Sequence, residues 1–449
     1  MKNKHQKMTL FTLTWPIFIE IMLHMLMGNA DTLMLSQFSD QAVAAVGVSN
    51  QILSLIIVMF GFVATGTAII TAQNIGASNH QAAREVSVVS LWVNLGFGLL
   101  LSSILVIFHK NLLSMMSLPP ELMKDGTAYL AIVGGFIFIE ALVMTSGAII
   151  RSYGYTKDAM YVTIGMNILN IIGNYLFIFG AFGVPVLGVT GVAVSTAVSR
   201  FAGLLTMGIL LNKRIPGELP FKKIFKLPST HVKNLLKIGI PSAGEQLSYN
   251  SSQMLITYFI SMIGTEALTT KVYTQNLMMF IYLFSVAISQ GTQILVGRMI
   301  GARETDDAYH RCMRSLKIAV AISFAMALVF SFFARHLFAI FTDNPSIIES
   351  GILLIYLTIL LEPGRAFNLV IINSLRAAGD VRFPVYMGIL SMWGVSVTIS
   401  YVLGVGFGLG LIGIWISFIA DEWLRGLLML RRWKSKIWLR KSFLQKSVS

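Results

Sequence analysis

The residues best suited to chemistry lie in the first long apolar segment, roughly residues 10–37. This segment carries two carboxylates, Glu20 and Asp31, together with His24, and no cation stands near them in the sequence. The three side chains follow each other at i, i+4 and i+11, which places them close to one helical face. A carboxylate at the centre of a membrane-spanning helix costs about 2.5–3.5 kcal/mol to insert, and it usually faces a bundle interior or a wet cavity. We therefore expect this helix to line a water-filled cavity, with Asp31 as a proton or sodium site.

Amide and hydroxyl side chains are predicted at the depth of Asp31. Asn167, Asn170 and Asn174 share a helical face at i, i+3 and i+7, and Thr196 lies in the next apolar segment. At about 1.5 Å per residue, Asn174 and Thr196 fall close to the depth of Asp31. Oxygen ligands of this kind suit a proton on Asp31 or a bound Na⁺, and a metal ion is expected there only if Na⁺ is the coupling ion. The alternative is that the amides and hydroxyls only join helices, each contributing about 0.6 kcal/mol.

A second set of residues is expected to line the cavity that holds the substrate. In the second half of the chain, Glu245, Tyr249 and Gln253 recur at i, i+4 and i+8 and so share a face. Methionine is flexible and suits a surface that accepts many ligand shapes. The candidate substrate residues are Glu20, His24, Met34, Asn167, Glu245, Tyr249 and Gln253.

Other charged residues in apolar segments favour structural roles. Glu362 and Arg365 stand at i, i+3 and can neutralise each other. The acidic and basic residues within 421–425 predict an interfacial network. Arg200 is a possible partner of Glu140, but the sequence does not establish that contact.

The composition is that of a polytopic membrane protein. Of 449 residues, 55% are hydrophobic and only 12% are charged, whereas soluble proteins contain about 25% charged residues. The net charge of +14 is expected in cytoplasmic loops rather than on a nucleic-acid surface. The single cysteine excludes an internal disulfide and a multi-cysteine metal site.

Hydropathy predicts twelve membrane-spanning helices. The predicted spans are about residues 10–36, 44–72, 85–108, 126–149, 158–180, 187–211, 235–263, 268–297, 315–338, 348–374, 383–404 and 409–430. Lys and Arg concentrate before the first span and in alternate connections, and the other connections hold only Lys110, Lys124, Lys271 and Arg335. Both termini of this multi-pass plasma-membrane protein are therefore expected in the cytoplasm.

The two halves of the chain repeat at an offset of 225 residues. The offset pairs Pro16 with Pro241, Glu20 with Glu245, Gly76 with Gly301, Arg151 with Arg376, and Gly154 with Gly379. Because each half has an even number of spans, both enter the membrane with the same orientation, which predicts a parallel pseudo-two-fold repeat with the cavity between the halves. The predicted organisation is an N-terminal six-helix lobe (1–211), a cytoplasmic linker (212–237), a C-terminal six-helix lobe (238–430) and a basic cytoplasmic tail (431–449). A cavity built from both halves of one chain predicts a functional monomer.

Over essentially its whole length the chain resembles the MATE (multidrug and toxic compound extrusion) family of the MOP flippase superfamily. The resemblance rests on Asn29-Ala-Asp-Thr-Leu-Met-Leu, the stretch 167–180 and Arg376-Ala-Ala-Gly-Asp. It implies an antiporter, coupled to H⁺ or Na⁺, that exports cationic or amphipathic organic compounds by alternating access. In the DinF-like branch, the most similar one, the coupling aspartate falls on Asp31. The assisting residues fall on Asn170 and Asn174, and the second is an amide here where the branch has an acid.

Other functions are weighed against this one. A flippase for a lipid-linked saccharide or a phospholipid-like substrate would favour a basic cavity, whereas the charges in the predicted spans are mostly acidic. No HExxH, GxSxG or Walker lysine motif occurs, so neither an enzyme nor an ATP-driven pump is expected, and no cofactor is implied. A gated channel is the remaining alternative, but the six-helix repeat with an intramembrane acid favours a carrier. The expected partners are the exported compounds and membrane lipid, without nucleic acid.

Overall fold

The computed structural model describes residues 8–226 and 228–444, without the side chains of Asn29 and of residues 223–225. Lys2, Lys4 and Lys7, which support the predicted orientation, lie outside the described residues, as does the end of the predicted tail. The main helices are α1 (Leu10–Ser36), α2 (Asp40–Gly76), α3 (His80–Met115), α4 (Met123–Gly135), α5 (Ile137–Ser152), α6 (Thr156–Phe179), α7 (Gly188–Arg214), α8 (Ser229–Ile263), α9 (Thr265–Gly301), α10 (Thr305–Phe332), α11 (Ala334–Ala339), α12 (Pro345–Ala377), α13 (Arg382–Ser391) and α14 (Gly410–Lys434). Two π-helical segments, Met392–Val397 and Ser400–Gly406, continue α13.

Most of the described helices are long and apolar enough to cross a bilayer. Nine meet this condition: α1, α2, α3, α6, α7, α9, α10, α12 and the segment Arg382–Gly406. A tenth is formed if Pro120–Gly135 and Ile137–Ser152, which meet at a 43° bend, are one span. The helices α8 and α14 have 35 and 25 residues. They fall short of this condition because α8 is rich in amide and hydroxyl side chains and α14 in charged ones. The prediction of an all-α polytopic membrane protein is confirmed, and the count of twelve spans stays a prediction.

The predicted span 126–149 is broken in the structure. α4 ends at Gly135 and α5 begins at Ile137. Two consecutive glycines, Gly134 and Gly135, precede the bend, and each disfavours a helix interior by about 0.5–1 kcal/mol relative to alanine. Hydropathy does not detect such a break, because the residues on both sides of it are apolar.

Gly154 and Gly379, which the repeat pairs, end equivalent helices. Gly154 follows α5 and Gly379 follows α12, with φ of +93° and +96°, a left-handed conformation that strains a residue with a Cβ. The N–H of Gly154 donates to the carbonyl of Arg151, and the N–H of Gly379 donates to that of Arg376, each at 2.9 Å. The repeated sequence therefore builds the same turn twice and places an arginine at the same position before each turn.

The chain forms two compact units. Among the described residues, the N unit lies within Trp15–Thr71 and Asn79–Gly239, and the C unit lies within Met1–Thr14, Ala72–Ser78 and Ile240–Ser449. One apolar cluster of the N unit includes Phe60, Leu105 and Ile137, and one of the C unit includes Ile256, Trp415 and Phe418. Many large apolar side chains are exposed, as expected for helices that face lipid.

Lys271 does not lie in an outer connection, where the prediction of orientation counted it. The α8–α9 connection consists of Gly264 alone, and Lys271 lies inside α9. Lys110, Lys124 and Arg335 also lie in helices, where they are exposed, whereas Lys271 is only 8% exposed. The correction arises because Lys271 lies close to the start of the predicted span 268–297, and hydropathy does not show where a helix begins.

Candidate functional site

Asp31 is held by an amide. It lies in α1, is 7% exposed, and its Oδ1 accepts a hydrogen bond of 2.6 Å from Nδ2 of Asn174 in α6. In the described chain, no Lys, Arg or His side-chain nitrogen lies within 4.0 Å of its carboxylate. Hydrogen bonds to an ionised acceptor are shorter and stronger than neutral ones. The carboxylate of Asp31 is thus stabilised without a counter-ion.

The hydrogen bonds continue from Asn174 to α7. Nδ2 of Asn174 lies 3.3 Å from Oδ1 of Asn170, and Nδ2 of Asn170 donates to Oγ1 of Thr196 at 3.2 Å. Both asparagines are fully buried. The four residues predicted as the coupling-ion site, which include Asp31, therefore form one hydrogen-bonded chain through α1, α6 and α7. Their role in coupling stays a prediction.

Close packing of α6 against α7 positions these amides. The hydroxyl of Ser195 in α7 donates to the backbone carbonyl of Asn170 at 2.9 Å. A Cβ at Gly173 would lie 2.9 Å from that of Ser195, so a larger residue there would push the helices apart. Because Gly173 has no side chain, α6 packs closely against α7, and the amides of α6 reach Thr196.

Arg200, one helical turn beyond Thr196, is neutralised within the N unit. Its Nε lies 3.1 Å from Oε2 of Glu140 in α5, and both side chains are largely buried. The sequence did not establish this pair, because the two residues are distant in the chain. Since Glu140 compensates Arg200, this guanidinium is not the ion-pair partner of Asp31.

Glu20 has a cation partner that the sequence interpretation missed. Nη1 of Arg151, in the last turn of α5, donates to Oε1 of Glu20 at 2.6 Å. The other oxygen, Oε2, is buried without a hydrogen-bond partner among the described residues. The signal in the sequence was the repeat, since the same offset pairs Glu20 with Glu245 and Arg151 with Arg376.

The other N-unit candidates do not join the Asp31 chain. His24 is exposed, and Met34 packs partly buried against the apolar cluster that contains Phe60. Nδ2 of Asn167 donates to the backbone carbonyl of Leu23 at 3.3 Å. As substrate-binding residues these three stay predictions.

In the C unit, Glu245 forms an ion pair with Arg376 of α12. Tyr249 is 41% exposed, and Gln253 is partly buried. The backbone carbonyl of Gln253 accepts a hydrogen bond from the hydroxyl of Thr257. The place of these three residues in the cavity wall stays a prediction.

The two charged groups predicted separately in the second half form one buried network. Arg365 lies 2.7 Å from Glu362 and 3.5 Å from Glu422, and Arg425 lies 2.6 Å from Asp421 and 3.3 Å from Glu422. Glu362 is fully buried within the protein, and the predicted position of residues 421–425 at the membrane interface stays a prediction. The sequence missed this connection because α12 and α14 are joined only by tertiary packing.

The Asp31 chain has the donors and acceptors needed to bind a small cation. Its oxygen atoms are a carboxylate, two amide oxygens and a hydroxyl, which are hard ligands. Oδ1 of Asn174 is buried and accepts no hydrogen bond within the described chain. A buried acceptor without a donor is unfavourable by about 1–3 kcal/mol, so this atom is available to a bound ion or proton donor.

Comparison with known proteins identifies the family. The MatE family model matches residues 16–176 and 241–402, and the two matches begin 225 residues apart, at the offset of the repeat. The chain is 58% identical to "Uncharacterized transporter YisQ" of Bacillus subtilis (strain 168), over 98% of this chain and 97% of that protein. It is 28% identical to "Probable multidrug resistance protein NorM" of Thermotoga maritima, over 97% and 94% of the two chains.

Solved structures show the same fold. A crystal structure of MATE in the bent conformation superposes with a TM-score of 0.89 at 20% identity, over 95% of this chain and 94% of that chain. An outward-facing multidrug resistance MATE family transporter of the MOP superfamily gives 0.88 at 21% identity, over 96% of both chains. The expectation of a transporter rather than an enzyme is confirmed. The chain belongs to the MatE family of integral membrane transporters.

Proposed function

We propose that this protein is a cation-coupled antiporter that exports cationic or amphipathic organic compounds by alternating access, with Asp31 as the coupling residue. The observation that carries the proposal is a buried carboxylate without an ion-pair partner in the described chain, bonded to Asn174 and backed by Asn170 and Thr196. Relatives named as probable multidrug resistance proteins support the same substrate class. We place the chain in the DinF-like branch on the resemblance around Asp31.

One carboxylate can serve both ligands in turn. A proton or Na⁺ on Asp31 removes the negative charge that attracts an organic cation, so the two compete for one site. Entry of the coupling ion from outside then releases the compound, and the ion leaves on the inner side. The free amide oxygen of Asn174 offers a ligand for Na⁺, while the carboxylate alone suffices for H⁺, and the two ions are separated by experiment.

We infer twelve transmembrane helices in two six-helix lobes, residues 1–211 and 238–430. The nine single spans and the bent pair supply ten, and α8 with α14 complete the twelve. An even number puts both termini on one side, and the excess of Lys and Arg in alternate connections places them in the cytoplasm of a plasma-membrane protein. The linker 212–237 and the tail 431–449 are then cytoplasmic, and the protein functions as a monomer.

The test is efflux of ethidium or a rhodamine from cells that lack their own pumps. Wild type is compared with Asp31→Asn at matched expression, under an imposed proton or sodium gradient. Asp40→Asn is the matched control, because Asp40 is an exposed carboxylate in the first turn of α2. We expect Asp31→Asn to abolish gradient-driven efflux and Asp40→Asn to retain it, and the effective gradient identifies the ion.

Full activity of Asp31→Asn would refute coupling at this residue and direct attention to Glu245. Absence of efflux from the wild type, with the protein present in the membrane, would refute the substrate class. The flippase of a lipid-linked saccharide or phospholipid-like substrate would then be tested next.

A further inference from the structure

Lys271 is a buried cation of the C unit that no carboxylate of the described residues neutralises. It lies in α9, is 8% exposed, and takes part in no ion pair within the described chain. The contact of its Nζ is with Oγ1 of Thr257 in α8, at 2.5 Å. A charged side chain in a membrane helix is costly, and it normally pairs with an acid or marks a ligand pathway.

The hydroxyl of Thr257 satisfies only part of the ammonium group. Thr257 donates its own proton to the backbone carbonyl of Gln253 at 2.7 Å, so its oxygen is an acceptor toward Lys271. An ammonium group has three donors and accepts nothing. One N–H of the Lys271 ammonium is bonded to Thr257. Within the described chain the other two have no hydrogen-bond partner and can bind a ligand or water. Gln275, one turn further along α9, is exposed on the same face.

The repeat gives Asp31 no acidic counterpart in the C unit. The offset of 225 residues pairs Asp31 with Ile256, which is fully buried and apolar. It pairs Thr32 with Thr257, the residue that holds the ammonium. Lys271 itself corresponds to Val46 in the N unit, and its ammonium contacts the residue next to the position that corresponds to Asp31.

We propose that Lys271 binds a monovalent anionic group, a carboxylate or sulfonate, on a transported amphipathic compound. Transport of the bound compound rests on the export function proposed above, whereas the anion site itself does not depend on it. One lysine beside neutral hydroxyl and amide groups matches one negative charge. A lipid diphosphate would call for several cations, and no second Lys or Arg lies on the segments 253–257 and 271–275.

The test is binding of a matched dye pair to the purified full-length protein in detergent, read by fluorescence polarisation. Tetramethylrhodamine carries a free carboxylate, and tetramethylrhodamine methyl ester lacks it. We expect wild type to bind the carboxylate form about tenfold more tightly, as one charge-assisted hydrogen bond implies. Lys271→Met should remove that preference and leave ester binding unchanged. Lys317→Met, at an exposed lysine of α10, is the matched control and should retain it.

A second variant separates ligand binding from a structural tether. Thr257→Val removes the hydrogen bond between Thr257 of α8 and Lys271 of α9 but keeps the ammonium, so the carboxylate preference should persist. Loss of the preference in Thr257→Val, equal affinity for both dyes in wild type, or unchanged preference in Lys271→Met would each overturn the proposal. No gradient enters this assay, so its outcome is independent of the Asp31→Asn efflux result.

Discussion

The carboxylate of Glu20 accepts a hydrogen bond of 2.6 Å from Arg151, and Glu245 forms the same ion pair with Arg376 in the other unit. Each pair joins residues 131 positions apart in the chain. The repeat thus extends from matched residues to a matched interaction. Because both units keep this pair, it acts as a brace between two helices of each unit. The carboxylate of Asp31 has no acidic counterpart in the repeat, which suits a function carried by one unit alone.

We expect Arg376→Gln to destabilise the protein more than the double change Glu245→Gln with Arg376→Gln. The single change leaves the carboxylate of Glu245 without its ion-pair partner, whereas the double change leaves two neutral amides. Breaking a buried pair costs about 3–5 kcal/mol, and because these side chains are 17% and 14% exposed, we expect about 2 kcal/mol. Thermal unfolding in detergent is followed with a fluorogenic maleimide on Cys312, the single cysteine, which is buried.

A larger loss of stability in the double variant than in the single variant, or equal losses in the two, would contradict an interacting pair. Glu20→Gln with Arg151→Gln is the matched experiment in the N unit. Circular dichroism is the appropriate probe there, because Cys312 reports on the C unit.

The placement of Asp31, Asn174 and Thr196 could be predicted from the sequence because helix rise converts sequence position into depth. Three predicted spans place these side chains at one level, and the structure joins them by hydrogen bonds. The partners of Glu20 and of Lys271 could not be predicted in this way. Hydropathy ends the predicted span 126–149 before Arg151, whereas α5 continues past that residue. Lys271 lies near the start of the predicted span 268–297, and depth does not reveal which face of a neighbouring helix is in contact.

We expect Asn174→Val to lower gradient-driven efflux about tenfold at matched expression. Asn174 donates to the carboxylate of Asp31. A hydrogen bond to a charged group contributes about 1.5–3 kcal/mol, and about 1.4 kcal/mol changes an equilibrium constant tenfold. Thr163→Val is the matched control, since Thr163 is a buried residue of α6 whose hydroxyl donates to the carbonyl of Ala159 in the same helix. Equal losses in both variants, measured as initial efflux rates, would show that general damage to α6 is the cause.

Gly76 and Gly301, which the repeat pairs, end α2 and α9, and both lie in the C unit. A Cβ at Gly76 would lie 2.7 Å from the carbonyl carbon of Arg298, and a Cβ at Gly301 would lie 2.8 Å from that of Gln73. Each glycine therefore lies against the backbone of the other helix. The offset also pairs Gln73 with Arg298, so the contact is reciprocal.

We expect Gly76→Ala and Gly301→Ala each to lower the free energy of unfolding by about 1–3 kcal/mol, as overpacking does elsewhere. The neighbouring atoms are backbone, which cannot turn aside as a flexible side chain can. Gly244→Ala in α8 is the matched control, because nothing lies within 4 Å of its Cβ position. An alanine there should stabilise the helix by about 0.5–1 kcal/mol. The thiol assay on Cys312 measures all three, and a wild-type transition in Gly76→Ala would mean that the ends of α2 and α9 are less closely packed than this geometry requires.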